Sequence, residues 1–135
     1  MDKHKAVPKV LTEEERQKKR ALSKRLMSSM KQHVLVCNGG CCTIRGDSEA
    51  VLQSFKEAVE LYDTENSIRV TATQCLSRCG DACSVVVYPE GAWYKHLKPE
   101  DIAAFVQEHL LKQNLKESHL SYLYEQGQFV SREAT

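Results

Sequence analysis

The sequence predicts an α/β fold with elements in the order β-α-β-β-β-α, a mixed four-stranded sheet behind a helical N-terminal extension. Three patterns carry that expectation. A short β-branched run ends on a cysteine and a turn with two glycines. A stretch of helical period then leads into a second, alternating run. Two further short runs meet at Pro89-Glu90-Gly91 before a proline and two acids open a last helix.

Residues 1–32 read as a loose start and then a helix. In Leu11-Thr12-Glu13-Glu14-Glu15 a threonine cap precedes Glu15 by three positions, a capping box with acids in the first turn. Glu14 with Lys18 and Glu15 with Lys19 are i,i+4 pairs, and Leu22, Leu26, Met27 and Met30 form a narrow apolar stripe. His33-Val34-Leu35-Val36-Cys37 is a buried strand, and Asn38-Gly39-Gly40 a turn. Gly46-Asp47-Ser48 punctuates again. From Ser48, residues Val51, Leu52, Phe55, Ala58, Val59 and Tyr62 keep helical period, with Asp47 or Ser48 as cap.

Ser67 to Thr73 alternates Ile68, Val70 and Ala72 against Arg69 and Thr71, a second strand that ends two residues before Cys75. Strand, helix and strand in this length make a βαβ unit, with parallel strands and a right-handed crossover. Val85 to Tyr88 and Ala92 to Lys95 form a hairpin across Pro89-Glu90-Gly91. The helix opened by Lys98-Pro99-Glu100-Asp101 points Ile102, Phe105, Val106, His109 and Leu110 inward. Beyond Gln113 the chain is polar, with Leu115, Leu120, Tyr122, Leu123 and Phe129 scattered through it, and no shape is assigned. The chain thus divides into an extension (1–32), a domain (33–112) and a tail (113–135).

A chain of 135 residues is one compact domain with tails. Its net charge of +1 is unevenly placed: residues 1–32 hold ten Lys/Arg against four Asp/Glu, and the remainder nine against fourteen. A basic arm therefore precedes an acidic body, and such a charge run usually faces solvent. With no aromatic interleaved to stack on bases, no nucleic-acid partner is expected. No run of about 18 apolar residues and no apolar signal with a small-residue cleavage site is present, so no membrane is expected and the cytoplasm is the default compartment. In a reducing compartment, clustered cysteines point to metal or redox chemistry before structural disulfides.

All six cysteines lie in two short stretches, Cys37-Asn-Gly-Gly-Cys41-Cys42 and Cys75-Leu-Ser-Arg-Cys79-Gly-Asp-Ala-Cys83. Thiolates are soft ligands suited to iron-sulfur clusters, zinc or copper(I). Both stretches follow parallel strands, so both project from the same end of the sheet and can share one site. The spacing Cys37-x4-Cys42, 32 residues, Cys75-x3-Cys79 matches neither a zinc ribbon nor the plant-type or bacterial ferredoxin pattern.

The pattern resembles the thioredoxin-like [2Fe-2S] ferredoxins and the related small subunit of respiratory complex I. Their ligands occur as two separated pairs of this kind. Besides the cysteines, the resemblance rests on His33-Val34-Leu35-Val36-Cys37, on Arg45-Gly46 after Cys42, on Val85 to Tyr94, and on Lys98-Pro99-Glu100-Asp101-Ile102, covering residues 33 to about 111. It implies a thioredoxin-like fold, a [2Fe-2S] cluster and Cys37, Cys42, Cys75 and Cys79 as its thiolate ligands. Cys41 is the alternate to Cys42, with the distance to Arg45-Gly46 favouring Cys42. Cys83 departs from the family pattern and reads as a buried small hydrophobe or a spare ligand.

No histidine lies inside either loop, so His33 is not expected as a ligand. Tyr88, Trp93 and Tyr94 sit at strand alternation and are expected to pack the sheet. Arg45 and Arg78 flank the ligands, where positive charge would favour the reduced state of a cluster. Gly39, Gly40 and Gly80 are expected to let backbone approach it closely.

Four thiolates, two per iron, make a one-electron carrier that demands no catalytic acid, base or nucleophile. The expected partner is a redox protein. A weaker resemblance to ferredoxin-like proteins encoded beside anaerobic cobalamin-pathway enzymes in some bacilli implies electrons for a corrin-ring reductive step. Related ferredoxins also pair as homodimers. Two other classes compete: a zinc-stabilised interaction module, and a thiol-disulfide protein, which the lack of a Cys-x-x-Cys pair disfavours. Visible absorption separates all three.

Overall fold

The computed structural model describes residues 10–114 and 118–132. The chain divides into two compact units, one ending at Met30 and the other beginning at Lys31. In the first, α1 (Glu13–Ser29) starts from the expected capping box: Glu15 N–H donates to Thr12 Oγ1 at 3.1 Å, and Thr12 N–H to Glu15 Oε1 at 2.9 Å. Lys18 meets Glu14 at 3.3 Å, whereas the Glu15 carboxylate is taken up by the cap. The helix buries none of its own residues, consistent with its charged composition.

The second unit is built on β1 (Gln32–Cys37), α2 (Gly40–Arg45), α3 (Ser48–Tyr62), β2 (Ile68–Thr73), β3 (Val85–Tyr88), β4 (Ala92–Tyr94), α4 (Ile102–Phe105), β5 (Leu120–Glu125) and β6 (Gln128–Ser131). The sheet order is β2-β1-β3-β4-β5-β6. β1 and β2 are parallel, with Gln32 opposite Ile68 and Cys37 opposite Thr73, and all other pairs are antiparallel. The mixed sheet expected from the sequence is present, extended by two further strands. These come from the polar segment beyond Gln113, for which no element is expected from the sequence. Leu120 and Ser121 are buried in β5, and Trp93 packs edge-on against Phe129 of β6 at 6.2 Å.

α3 crosses between the parallel strands because one face of it is apolar: Val51, Phe55 and Ala58 are buried in the core with Val34 and Val36 of β1. Its exit is fixed by Asp63, whose carboxylate accepts from Ser67 Oγ and from the Ile68 N–H, both at 2.8 Å. Asp47 holds the N-cap position of α3 in a left-handed conformation (φ 51°) without a side-chain cap bond, while Ser48 Oγ donates instead to Asn38 Oδ1 at 2.8 Å. The last helix is tighter at its start and wider at its end than an α-helix: a 3₁₀ turn at Pro99–Asp101, then α4, then a π turn over Val106–Leu110. Phe105 is fully buried and meets Tyr94 (4.8 Å) and Phe55 (5.9 Å) edge to face, joining sheet, α3 and α4.

Phe105 is therefore the side chain whose loss most damages the core. Phe105→Ala is expected to cost about 3–5 kcal/mol of unfolding free energy. Denaturant unfolding checks this, and a cost below about 1 kcal/mol would show that the three elements hold together without it.

Candidate metal centre

Cys37 is the last residue of β1 and is buried there, its N–H donating to Ser84 O at 3.0 Å. The turn after it does not run straight to Gly46 as the sequence suggests. Gly40–Arg45 closes into α2, which carries Cys41 and Cys42, and Thr43 Oγ1 donates to Gly39 O at 2.9 Å. Six residues with two glycines nearby leave too short a periodic signal to read as a helix. One turn of helix separates the neighbouring cysteines sharply: Cys42 is buried, Cys41 half-buried.

The second loop leaves β2 at Thr73. Cys75 is exposed in the bend that follows, and Cys79 opens a 3₁₀ turn, Cys79–Asp81. Ser77 adopts a left-handed conformation (φ 62°), and its N–H donates to Cys75 Sγ at 3.3 Å, the kind of backbone contact that stabilises a ligating sulfur. Cys83 lies just ahead of β3, 1% exposed, its thiol 3.8 Å from Cys37 O.

The two loops meet. Cys42 is within hydrogen-bond reach of Cys37 and of Cys83, and Cys79 of Cys41 and of Cys75. All six thiols are free. Gly39 makes the approach feasible: a Cβ there would lie 2.9 Å from Cys75 Cα and Cβ. Gly46, which the sequence did not single out for this, is as crowded, since a Cβ would lie 2.5 Å from Cys83 N. Gly40 and Gly80 face open space within the chain itself.

Burial pushes the Cys42 thiol above its ordinary pKa, and neighbouring Cys37 and Cys75 add to that, while a backbone hydrogen bond from Ser84 works the other way. Cys79 is pushed up to about 11 by its hydrogen bonds and charge repulsion with Cys41 and then Cys75. Burial first, and then Cys42 and Cys37, raise Cys83 to about 12. Crowded thiols of this kind hold their protons until a cation replaces them.

Among the described residues no three His, Cys, Asp or Glu side chains form a ready cage for a single ion. The thiols stand in two neighbouring groups, Cys42 with Cys37 and Cys83, and Cys79 with Cys41 and Cys75, and each group can supply the two soft thiols per metal that a two-iron cluster requires. The donor set therefore fits a [2Fe-2S] cluster.

Around the thiols, Arg78 is committed to the protein: its Nη2 lies 2.9 Å from Asp81 Oδ2 and its guanidinium 4.6 Å from the Tyr122 ring centroid. Arg45 at the end of α2 is exposed. His33 is turned away from ligation by a 2.7 Å contact of Nε2 with Thr71 Oγ1. Tyr94 packs inside as expected, Trp93 is half-buried and Tyr88 is exposed. No helix among the described residues is long and apolar enough to cross a membrane.

Residues 25–110 match the family model of the thioredoxin-like [2Fe-2S] ferredoxins. A provisionally named 2Fe-2S ferredoxin of Priestia megaterium is 40% identical over 108 residues, covering 79% of this chain and 83% of that protein. The 2Fe-2S ferredoxin of Aquifex aeolicus (strain VF5) is 37% identical over 91 residues, 58% of this chain and 78% of its own. A solved structure of a thioredoxin-like [2Fe-2S] ferredoxin from Aquifex aeolicus superposes with a TM-score of 0.66 at 31% identity, covering 71% of this chain and 94% of that one.

The close approach at Gly39 gives a direct test of the geometry. Gly39→Ala is expected to displace the Cys75 loop and lower the iron bound per chain, whereas Gly40→Ala, which meets nothing within 4 Å, should bind as much as the unaltered protein. Equal iron in both variants would show that the approach of the two loops is not required.

Proposed function

Because this chain belongs to the thioredoxin-like [2Fe-2S] ferredoxin family, and with it to the electron carriers that bind a [2Fe-2S] cluster, we propose that Cys37, Cys42, Cys75 and Cys79 hold that cluster. The observation that carries the assignment is the meeting of two cysteine loops at one end of the sheet, with Cys42 against Cys37 and Cys79 against Cys75. Cys42 is preferred to Cys41 because it is buried beside Cys37, whereas Cys41 lies toward Cys79. Cys83 supports the buried pair from behind.

When bound, the cluster supplies storage of one electron. The chain's part is to hold its thiols fixed, to direct the Ser77 and Ser84 backbone N–H groups at sulfur, and to keep water from the inner pair. The carrier passes its electron to a redox enzyme. The weaker resemblance to ferredoxin-like proteins of the anaerobic cobalamin pathway supports a corrin-ring reduction as the acceptor step, and relatives that pair support a homodimer. The basic extension expected over residues 1–32 is separate from the carrier domain up to Met30, Gln32 already lying in β1, as the charge division and the cap at Thr12 support.

Serine in place of Cys37, Cys42, Cys75 or Cys79 is expected to lose or weaken the visible absorption of the cluster, and Cys83→Ser to retain it. Loss in Cys41→Ser with retention in Cys42→Ser would reverse the assignment in α2. Removing residues 1–30 should leave the spectrum unchanged. A bleached spectrum in that truncated form would show that the extension is part of the carrier domain.

A further inference from the structure

A cleft of about 560 Å³ opens beside the thiols. One wall runs from Arg45 at the end of α2 to Asp47 at the N-cap of α3; the floor is the Ala82–Cys83 backbone; the other wall is the loop after β4, with His96 and Lys98. That loop is anchored, not free: His96 N–H donates to Asp81 O at 3.1 Å, His96 Nδ1 lies 3.0 Å from Ala82 O, and Leu97 is 1% exposed. The floor belongs to the cluster region, since the Cys83 thiol is in hydrogen-bond reach of Cys42. Ile44, the residue before Arg45 in α2, is a large apolar side chain 84% exposed.

The charge here runs against that of the body. Residues 33–135 hold nine Lys/Arg and fourteen Asp/Glu, net −5, yet the charged side chains lining the cleft are Arg45 and Lys98 against Asp47. Among the described residues neither Arg45 nor Lys98 has an ion-pair partner, whereas Arg78, on the other side of the loop, is neutralised by Asp81. Two unspent cations and an exposed apolar residue beside a redox centre form a surface complementary to carboxylates. We propose that this cleft is the docking site of the electron-transfer partner, which inserts a carboxylate-bearing loop between Arg45 and Lys98 and covers Ile44. The proposal rests on the electron-carrier reading above and adds the partner's chemistry.

The test is stopped-flow oxidation of the reduced full-length protein by an anionic probe, ferricyanide, and a cationic one, hexaammineruthenium(III), across ionic strength. With the unaltered protein the ferricyanide rate should fall as salt rises, despite the acidic body. In the Arg45→Glu/Lys98→Glu protein that rate should drop about tenfold at low salt, the slope should reverse, and the ruthenium rate should rise. A control of equal charge change on α3 and beyond α4, Lys56→Glu/Lys112→Glu, should stay near the unaltered protein. Poly-L-glutamate should slow the ferricyanide reaction of the unaltered protein and not that of the cleft variant. If the charge reversal bleaches the cluster, Arg45→Gln/Lys98→Gln serves in its place, with a smaller drop of the same sign. Slopes unchanged by the cleft substitutions, an equal effect of the control, or indifference to poly-L-glutamate would each overturn the docking site while leaving the carrier intact. Failure of the reduced protein to pass an electron to either probe would remove the carrier reading and this one with it.

Discussion

The parallel pairing of β1 with β2 is the constraint on which the site depends. Two strands joined by a crossover helix must end at the same edge, so Cys37 opposite Thr73 sets the point from which both cysteine loops leave the sheet. The apolar face of α3 and the Asp63 clasp hold that register, because a slip of one residue would turn Val34 and Val36 out of the core. The metal centre is thus a by-product of core packing. Its loops are then fastened by the close approach at Gly39 and Gly46, by Arg78 on the Tyr122 ring and by His96 Nδ1 at Ala82 O.

Within the site the thiols divide by depth. Cys37, Cys42 and Cys83 are buried, whereas Cys75 is exposed and Cys41 and Cys79 are half-buried. Desolvation raises the cost of charge on the inner group, and solvent lowers it on the outer one. Cys37 and Cys42 would hold a cluster from the sheltered side, and Cys75 and Cys79 from the side nearer solvent. Such asymmetry suits a carrier, since electrons need a short route to a partner while the cofactor must resist water.

Much of this was legible in the sequence, for identifiable reasons. The βαβ unit showed because Val51, Phe55 and Ala58 keep strict helical period and β1 is short and β-branched, so local pattern and tertiary role agree. α2 was missed because six residues next to two glycines give no period to detect. The hairpin of β5 and β6 was missed because β5 joins β4 through a bulge at Trp93/Tyr94, β6 pairs with β5, and both strands mix polar with aromatic residues, which hides the alternation. Cysteine identity pointed to a soft-metal site, and the cluster type was readable only through the family resemblance carried by the cysteine pairs and the motifs around them. The roles of Ser77, Ser84 and Gly46 were not, since they act through backbone N–H groups and missing Cβ atoms that no residue type announces.

On this reading the thiols of two loops hold one cluster able to take one electron. Electron paramagnetic resonance of the anaerobically purified protein, before and after chemical reduction and referred to iron and acid-labile sulfide content, tests it most directly. Two irons and two sulfides per chain are expected, with a silent oxidised state and a signal integrating to about one unpaired electron per chain on reduction. A colourless protein with about one zinc per chain and no signal in either state would contradict it.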